Sequence, residues 1–461
     1  MIRRVLTGVL LAAASSATAQ PVPPPSRATL YAAAWDTTVA AISRTWIDTA
    51  FIATTWLPAA KAARDSALAA TDDRAFQRVM RGLLARIPAS HFYLLPAPDP
   101  ALASDTATAA RPGRAGLTIR LTEVSGAPHL VVSHVEAGGA ADRAGVRAGD
   151  LVRRLDGRDV SRALGELPAP REPGAAVARA RVVAAANAVL AGGAGDVRTL
   201  ELQKPGTASA SDTRRLTLDA ETRPLRAFGN LPPMPVEASA RVIPLGASAA
   251  ALVRFDAFLP AIMPALDDAL FAARSCSAIV LDLRGNPGGL VGMVGGIAGH
   301  LLALPDTLAI MTMRESALRL VANPRTVRRD GTSAPVFDGP VLVLIDEASA
   351  SASEILAGAL QALGRARLVG TRTAGMSLPA QLRRLSTGDV LVHATADLTG
   401  PRGARAEGEG LSPDLPAPLD PARLAAGTDP VLDAALAALR LDRTLRPAGA
   451  SCRSLSALSG S

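Results

Sequence analysis

Cysteine is nearly absent: Cys276 and Cys452 are the only two in 461 residues. That excludes a disulfide framework, and neither sits in the paired Cys/His spacing of a zinc site, so no metal is expected; one bridge between them stays open. Lysine is equally scarce, with only Lys61 and Lys204, and the net charge of +8 is carried by arginine. Those arginines are scattered over every segment and form no basic arm or helical stripe, which argues against nucleic acid as a partner. Long apolar runs are missing too. The one N-terminal stretch, residues 5–14, is too short to span a bilayer. It follows Met1-Ile2-Arg3-Arg4 and precedes Ala17-Thr18-Ala19, the pattern of a signal peptide cut after residue 19. The expectation is a periplasmic or secreted protein with no stable membrane span after cleavage. A short membrane anchor is the other reading, and two adjacent arginines do not establish twin-arginine export.

What is present, 49% hydrophobic and 20% charged residues, suits two or three packed globular domains. A Pro-rich linker over residues 20–33 leads into apolar and aromatic positions at helical spacing, among them Trp46, Ile47, Ala50 and Phe51, predicting a helical domain over 34–95. Its last helix runs into Ile87-Pro88-Ala89-Ser90-His91-Phe92, where a Pro-led turn holds His91 just past the helix end. From Gly116 the pattern turns to short alternating strands. A second Pro-rich stretch at 232–235 precedes two apolar runs without alternation, Ala278-Ile279-Val280-Leu281-Asp282 and Val341-Leu342-Val343-Leu344-Ile345. Such runs belong to a parallel sheet covered on both faces. Helical spacing at Ile355, Leu356, Leu360 and Leu363, a stop at Gly364 and a strand at 366–369 complete a βαβ unit of an α/β core over 236–440. The Ser/Arg/Ala-rich end, 441–461, reads as disordered.

Chemistry concentrates at two strand ends. After the second run, Asp346-Glu347-Ala348-Ser349-Ala350-Ser351-Ala352-Ser353-Glu354 puts serines at the carboxyl end of a buried strand and the amino end of a helix. Free backbone NH groups and the helix dipole there suit an oxyanion; small N-capping serines without chemistry are the plainer reading. After the first run, Arg284-Gly285-Asn286-Pro287-Gly288-Gly289-Leu290 lets backbone approach a reacting group closely. It lacks the Lys-Ser/Thr ending of a phosphate loop, so no nucleotide cofactor is expected.

The succession Gly138-Gly139-Ala140-Ala141-Asp142-Arg143-Ala144-Gly145, Gly149-Asp150 and Asp156-Gly157 resembles a PDZ domain, here over 112–222. Such domains take a peptide C-terminus as an added strand, with loop NH groups on its carboxylate. The corresponding residues are Gly116, Leu117, Thr118 and Ile119, and polypeptide C-termini are the implied partners. Together with residues 281–289 and 349–361, the chain resembles the C-terminal processing and tricorn-core serine peptidases. That resemblance implies an α/β catalytic core of crotonase-like ββα type with an inserted PDZ β-barrel domain and an N-terminal helical domain. It also implies Ser351 as nucleophile, with oxyanion donors from Ala352 and from Gly288 or Gly289.

The processing branch activates its serine by a lysine in a Gly-x-x-Thr-x-Gly-Lys segment, which here reads Gly370-Thr371-Arg372-Thr373-Ala374-Gly375-Met376. Methionine accepts no proton, so a Ser-Lys dyad is not expected. The tricorn-like branch implies His91 as base, Ser90 as a further hydrogen-bond partner and, from Glu407-Gly408-Glu409-Gly410-Leu411-Ser412-Pro413-Asp414, Glu407 as the carboxylate orienting His91, with Glu409 as competitor. The expectation is an exported serine endopeptidase without a cofactor. An inactive peptide-binding scaffold and a carrier of apolar small molecules are the rivals.

Overall fold

The computed structural model describes residues 25–97, 111–207, 211–229, 231–449 and Cys452; the expected signal peptide at 1–19 lies outside them.

The first helix, Arg27–Thr45, starts inside the segment expected to be linker. Ser26 caps it by accepting from Thr29 N at 3.2 Å, and buried Tyr31 stacks on Phe76 with ring centroids 4.5 Å apart, so residues 27–33 gain more as packed helix than as free chain. A π-helical turn, Ile52–Trp56, leads into Leu57–Leu68, and Asp73–Leu84 follows, capped by Asp72 and burying Phe76, Met80, Leu83 and Leu84. These helices do not close a core alone. Their apolar cluster includes Leu378, Leu385, Leu391 and Ala394 from a hairpin some three hundred residues later. Strand Phe92–Leu95 joins that hairpin antiparallel, Phe92 opposite His393, and Val390–Ala394 in turn pairs with Ala380–Arg384. The residue before Phe92 is thereby held against the C-terminal part of the chain.

The middle of the chain forms an antiparallel sheet in the order Leu117–Val124, Ala127–Val135, Leu151–Leu155, Val197–Gln203, Asp212–Thr217, with Arg158–Asp159 pairing off Leu151–Leu155. Helix Ala175–Val189 packs over it through Val183 and Ala186, which share a core with Ile119, Leu121 and Leu200.

The third part is a six-stranded sheet ordered Ala238–Leu245, Ser248–Phe255, Ala278–Asp282, Val341–Ile345, Arg367–Gly370, Leu415–Pro416. Only the first pair is antiparallel. Ile279 and Leu281 face one apolar cluster with helices Met263–Ala273 and Ala352–Ala362, while Ala278 and Val280 face another with helix Pro430–Arg440. Covering on both faces is what the unalternating runs require.

Of the 441–461 stretch expected to be disordered, the structure describes residues 441–449 and Cys452, and these are docked. Residues 441–449 run back over the core: Gly449 N donates to Ser275 O at 2.8 Å and Ser248 Oγ to Arg446 O at 3.0 Å. Cys452, fully buried, is bridged to Cys276. Polar, alanine-rich composition hides this, because the anchor is one covalent bond and not an apolar pattern.

Candidate active site

Ser351 stands between the end of strand Val341–Ile345 and helix Ala352–Ala362 with φ 54° and ψ −119°, a conformation rare outside glycine. It is held there from several sides. Its N–H donates to Met376 O at 2.9 Å and lies 3.2 Å from Glu354 Oε2, and its carbonyl accepts from Ile355 N. The two motif loops are also laced together: Ala350 N and Ser353 Oγ both donate to Asn286 O at 3.0 Å, Ser349 Oγ donates to Leu283 O at 2.8 Å, and Gly285 N donates to Asp346 Oδ1 at 2.9 Å.

Gly288, with φ +90°, presses against Ser351. A Cβ there would lie 2.7 Å from Ser351 Cβ, Ala350 O and Ala352 N alike. Only a glycine lets the two loops approach this closely in front of the helix N-terminus. Its N–H, however, donates to Asn286 Oδ1 at 2.9 Å, which corrects the expectation that Gly288 supplies an oxyanion donor: the neighbouring asparagine already consumes it. Gly289 N and Ala352 N have no acceptor among the described residues.

His91 follows helix Asp73–Leu84 by a turn and has φ 59°. Its Nδ1 lies 2.7 Å from Ser90 Oγ, Ser90 Oγ lies 2.9 Å from Glu407 Oε2, and Ser90 N donates to Glu407 Oε1 at 2.8 Å. Glu407 therefore does not orient His91 directly, as expected from sequence; Ser90 stands between them. The order fixes the protons. An ionised carboxylate only accepts, so the single Ser90 hydroxyl hydrogen points to Glu407, and Ser90 Oγ must accept from Nδ1–H. His91 Nε2 then carries the free lone pair of a base. Burial lowers the imidazole pKa from 6.5 to about 4, keeping it neutral.

No hydrogen bond joins Ser351 to His91, but both hang from one loop. Met376 O takes the Ser351 N–H, and the next residue, Ser377, donates its N–H to Glu407 Oε2 at 2.9 Å. The competitor Glu409 is not part of this group; its carbonyl accepts from Arg372 Nη1. At the position of the missing lysine the Met376 backbone is fully used, its N–H donating to Glu354 Oε2 at 2.9 Å. Lys204 pairs with Asp150 at 2.8 Å in the middle domain and Lys61 is exposed on helix Leu57–Leu68. Of the other histidines, buried His300 is bonded to Asp267 at 2.8 Å, His129 to Arg153 and His393 to Thr45, and His134 is exposed on its strand.

Sequence reasoning missed Glu354. This buried carboxyl accepts from Thr373 Oγ1 at 2.5 Å, Gly375 N at 2.8 Å, Met376 N and Ser351 N, and burial outweighs those bonds to raise its pKa to about 7. The signal was there: a serine followed three residues later by glutamate at a helix start is the capping-box pattern. Of the four residues expected to hold a peptide carboxylate, Gly116 has φ +67°, Leu117 and Thr118 face Val135 and His134 across the ladder, and Ile119 N donates to Asn187 Oδ1. Among the described residues no group of three His, Cys, Asp or Glu is arranged to hold a metal, and no helix is long and apolar enough to cross a membrane.

Residues 250–417 match the family model for Peptidase family S41 and residues 106–165 that for the PDZ domain. Carboxyl-terminal-processing peptidase 3, chloroplastic, of Arabidopsis thaliana is 28% identical over 299 residues, 62% of this chain and 50% of the relative. The carboxyl-terminal-processing protease of Picosynechococcus sp. is 36% identical over 169 residues, 36% of this chain and 39% of the relative. The chain thus spans half or less of these two relatives. Among solved structures, the photosystem II D1 C-terminal processing protease matches with TM-score 0.52 at 24% identity over 92% of this chain and 100% of that one. Mature CPAF matches with TM-score 0.56 at 13% identity over 89% and 97%. At such identities the likeness is one of fold.

Proposed function

From the premise that this chain carries a peptidase family S41 domain and a PDZ domain, we propose that it is an exported serine endopeptidase using a Ser351–His91–Ser90–Glu407 relay. The observation that carries this reading is the hydrogen-bonded order Glu407, Ser90, His91, from which we assign the Nδ1–H tautomer with Nε2 basic, on the loop system that also holds Ser351 N. His91 Nε2 takes the Ser351 hydroxyl proton as Oγ attacks a peptide carbonyl, and Gly289 N and Ala352 N receive the oxyanion. The imidazolium donates through Ser90 toward Glu407, then returns its proton to the leaving amine. Water, deprotonated by the same nitrogen, releases the acyl group and restores Ser351. Ser351 and His91 are not bonded in the resting chain, so the transfer needs a local adjustment that brings Nε2 to Oγ while the Ser90–Glu407 bonds stay in place.

The core is read as crotonase-like ββα type and the PDZ domain as a small barrel. The PDZ domain recruits polypeptides through their C-termini. Export to the periplasm or beyond is supported by the bridge between Cys276 and Cys452, a bond rarely kept in a reducing cytosol. One observation favours the rival scaffold reading, namely the missing Ser351–His91 bond. Labelling with a serine-reactive fluorophosphonate, together with cleavage of unfolded casein, separates the two. Labelled wild type with silent Ser351→Ala and His91→Ala variants supports the peptidase, whereas unlabelled wild type that binds peptides supports the scaffold.

A further inference from the structure

A PDZ domain receives its ligand on the free edge of one strand, beside one helix. Here that strand is Leu117–Val124 and the helix is Ala175–Val189, and the gap between them is bridged at both ends. Near the Gly116 loop, Ile119 N donates to Asn187 Oδ1 at 3.0 Å while Asn187 Nδ2 donates to Ile119 O at 2.8 Å. At the far end Arg179 Nη2 lies 2.9 Å from Glu123 Oε1. The spacing is commensurate: eight helical residues from 179 to 187 rise about 12 Å, and four strand residues from 119 to 123 about 13 Å.

The Asn187 amide is fully employed. Its second N–H donates to Val183 O at 2.8 Å, one turn back in its own helix, which fixes which end of the amide faces Ile119 N. It presents to Ile119 one acceptor and one donor, the same pair an added antiparallel strand would offer. The next outward donor of the strand, Leu121 N, is taken by Glu347 Oε1 of the catalytic core at 2.8 Å.

We infer that the peptide groove is closed by its own helix in the resting chain, and that Asn187 is the gate: a ligand's terminal carboxylate must replace Asn187 Oδ1 on Ile119 N. This deepens the proposed recruitment of C-termini and rests on it. The ligand class is a polypeptide with a free α-carboxylate, whose charge makes it the stronger acceptor. Pairing beyond the terminal residues must also displace Glu347, so the resting chain reads only a short C-terminal segment.

The test is fluorescence anisotropy on the full chain in a Ser351→Ala background, which prevents turnover. The probes are fluorescein-labelled decapeptides ending in Ala, Val or Leu, each as free acid and as amide. Asn187→Ala replaces a weak helix former by the strongest and removes the competitor, so the fold is kept and the Kd for free acids tightens about tenfold. Asn187→Asp keeps an acceptor on Ile119 N and sets a negative charge against the incoming carboxylate, so its Kd weakens relative to Asn187→Ala and amides bind neither variant. A merely structural Asn187 would give the same loss in both. Free acids bound equally by parent and Asn187→Ala would overturn the gate and leave C-terminal recruitment standing. Amides bound as well as acids, or no binding at all, would overturn recruitment and the gate with it, and casein cleavage by wild type would still report on the peptidase separately.

Discussion

Exchanging Glu407 for glutamine tests the relay more sharply than deleting Ser90 does. Glu407 accepts from three donors: Ser90 N on Oε1, and Ser90 Oγ and Ser377 N on Oε2. Either orientation of a glutamine amide sets an N–H against a backbone N–H. With the amide nitrogen at the Oε2 position, Ser90 accepts from it and turns its hydrogen onto His91 Nδ1, so Nε2 holds the proton and the base is lost. A comparable amide exchange in a serine-protease triad costs about 10⁴ in kcat. Ser90→Ala, by contrast, removes one bond that strengthens only as the imidazolium forms. The difference between a neutral and a charged hydrogen bond is about 1–2 kcal/mol, or roughly five- to thirtyfold in kcat. The expected order is therefore Glu407→Gln well below Ser90→Ala, with KM little changed in both. Steady-state cleavage of a fluorogenic peptide, with fluorophosphonate labelling rates as a substrate-independent check, measures it. Ser90→Ala at wild-type kcat, or the two variants equally impaired, would refute the proton order.

Three more outcomes follow from the geometry. The proposed relay needs neutral His91, and burial holds its pKa at about 4 in place of 6.5, so kcat/KM should stay level as pH falls from 8 and drop only near that lower value; an acid limb centred on 6.5 would contradict the buried base. Gly288→Ala puts a Cβ 2.7 Å from Ser351 Cβ and Ala352 N at a φ of +90°, so labelling by fluorophosphonate should vanish while the chain still folds, as judged by circular dichroism; wild-type labelling would show that the close approach of the two loops is not needed. Cys452→Ser opens a loop closed over 176 residues and should lower stability by about 2–4 kcal/mol in urea titration, an effect that reductant should reproduce in the parent during refolding.

The sequence by itself determined where the two motif loops stand on the sheet. Unalternating runs at 278–282 and 341–345 demand a sheet buried on both faces, and a serine or a glycine pair just past such strands falls at its carboxyl edge whatever the rest of the chain does. That residue 376, where the resemblance would put a lysine, is a methionine is likewise read without coordinates. Proton order was not legible, because Ser90 and Glu407 are 317 residues apart and a one-atom difference in reach decides whether a carboxylate touches the ring or the hydroxyl beside it. Nor was the loss of the Gly288 N–H, since local turn geometry decides that Asn286 takes it. The docking of residues 441–449 and Cys452 and the Asn187–Ile119 bridge escaped for the same physical reason. A disulfide between distant residues and a single asparagine on an alanine-rich helix leave no periodic trace, and only tertiary packing brings Cys452 to Cys276 and Asn187 to Ile119.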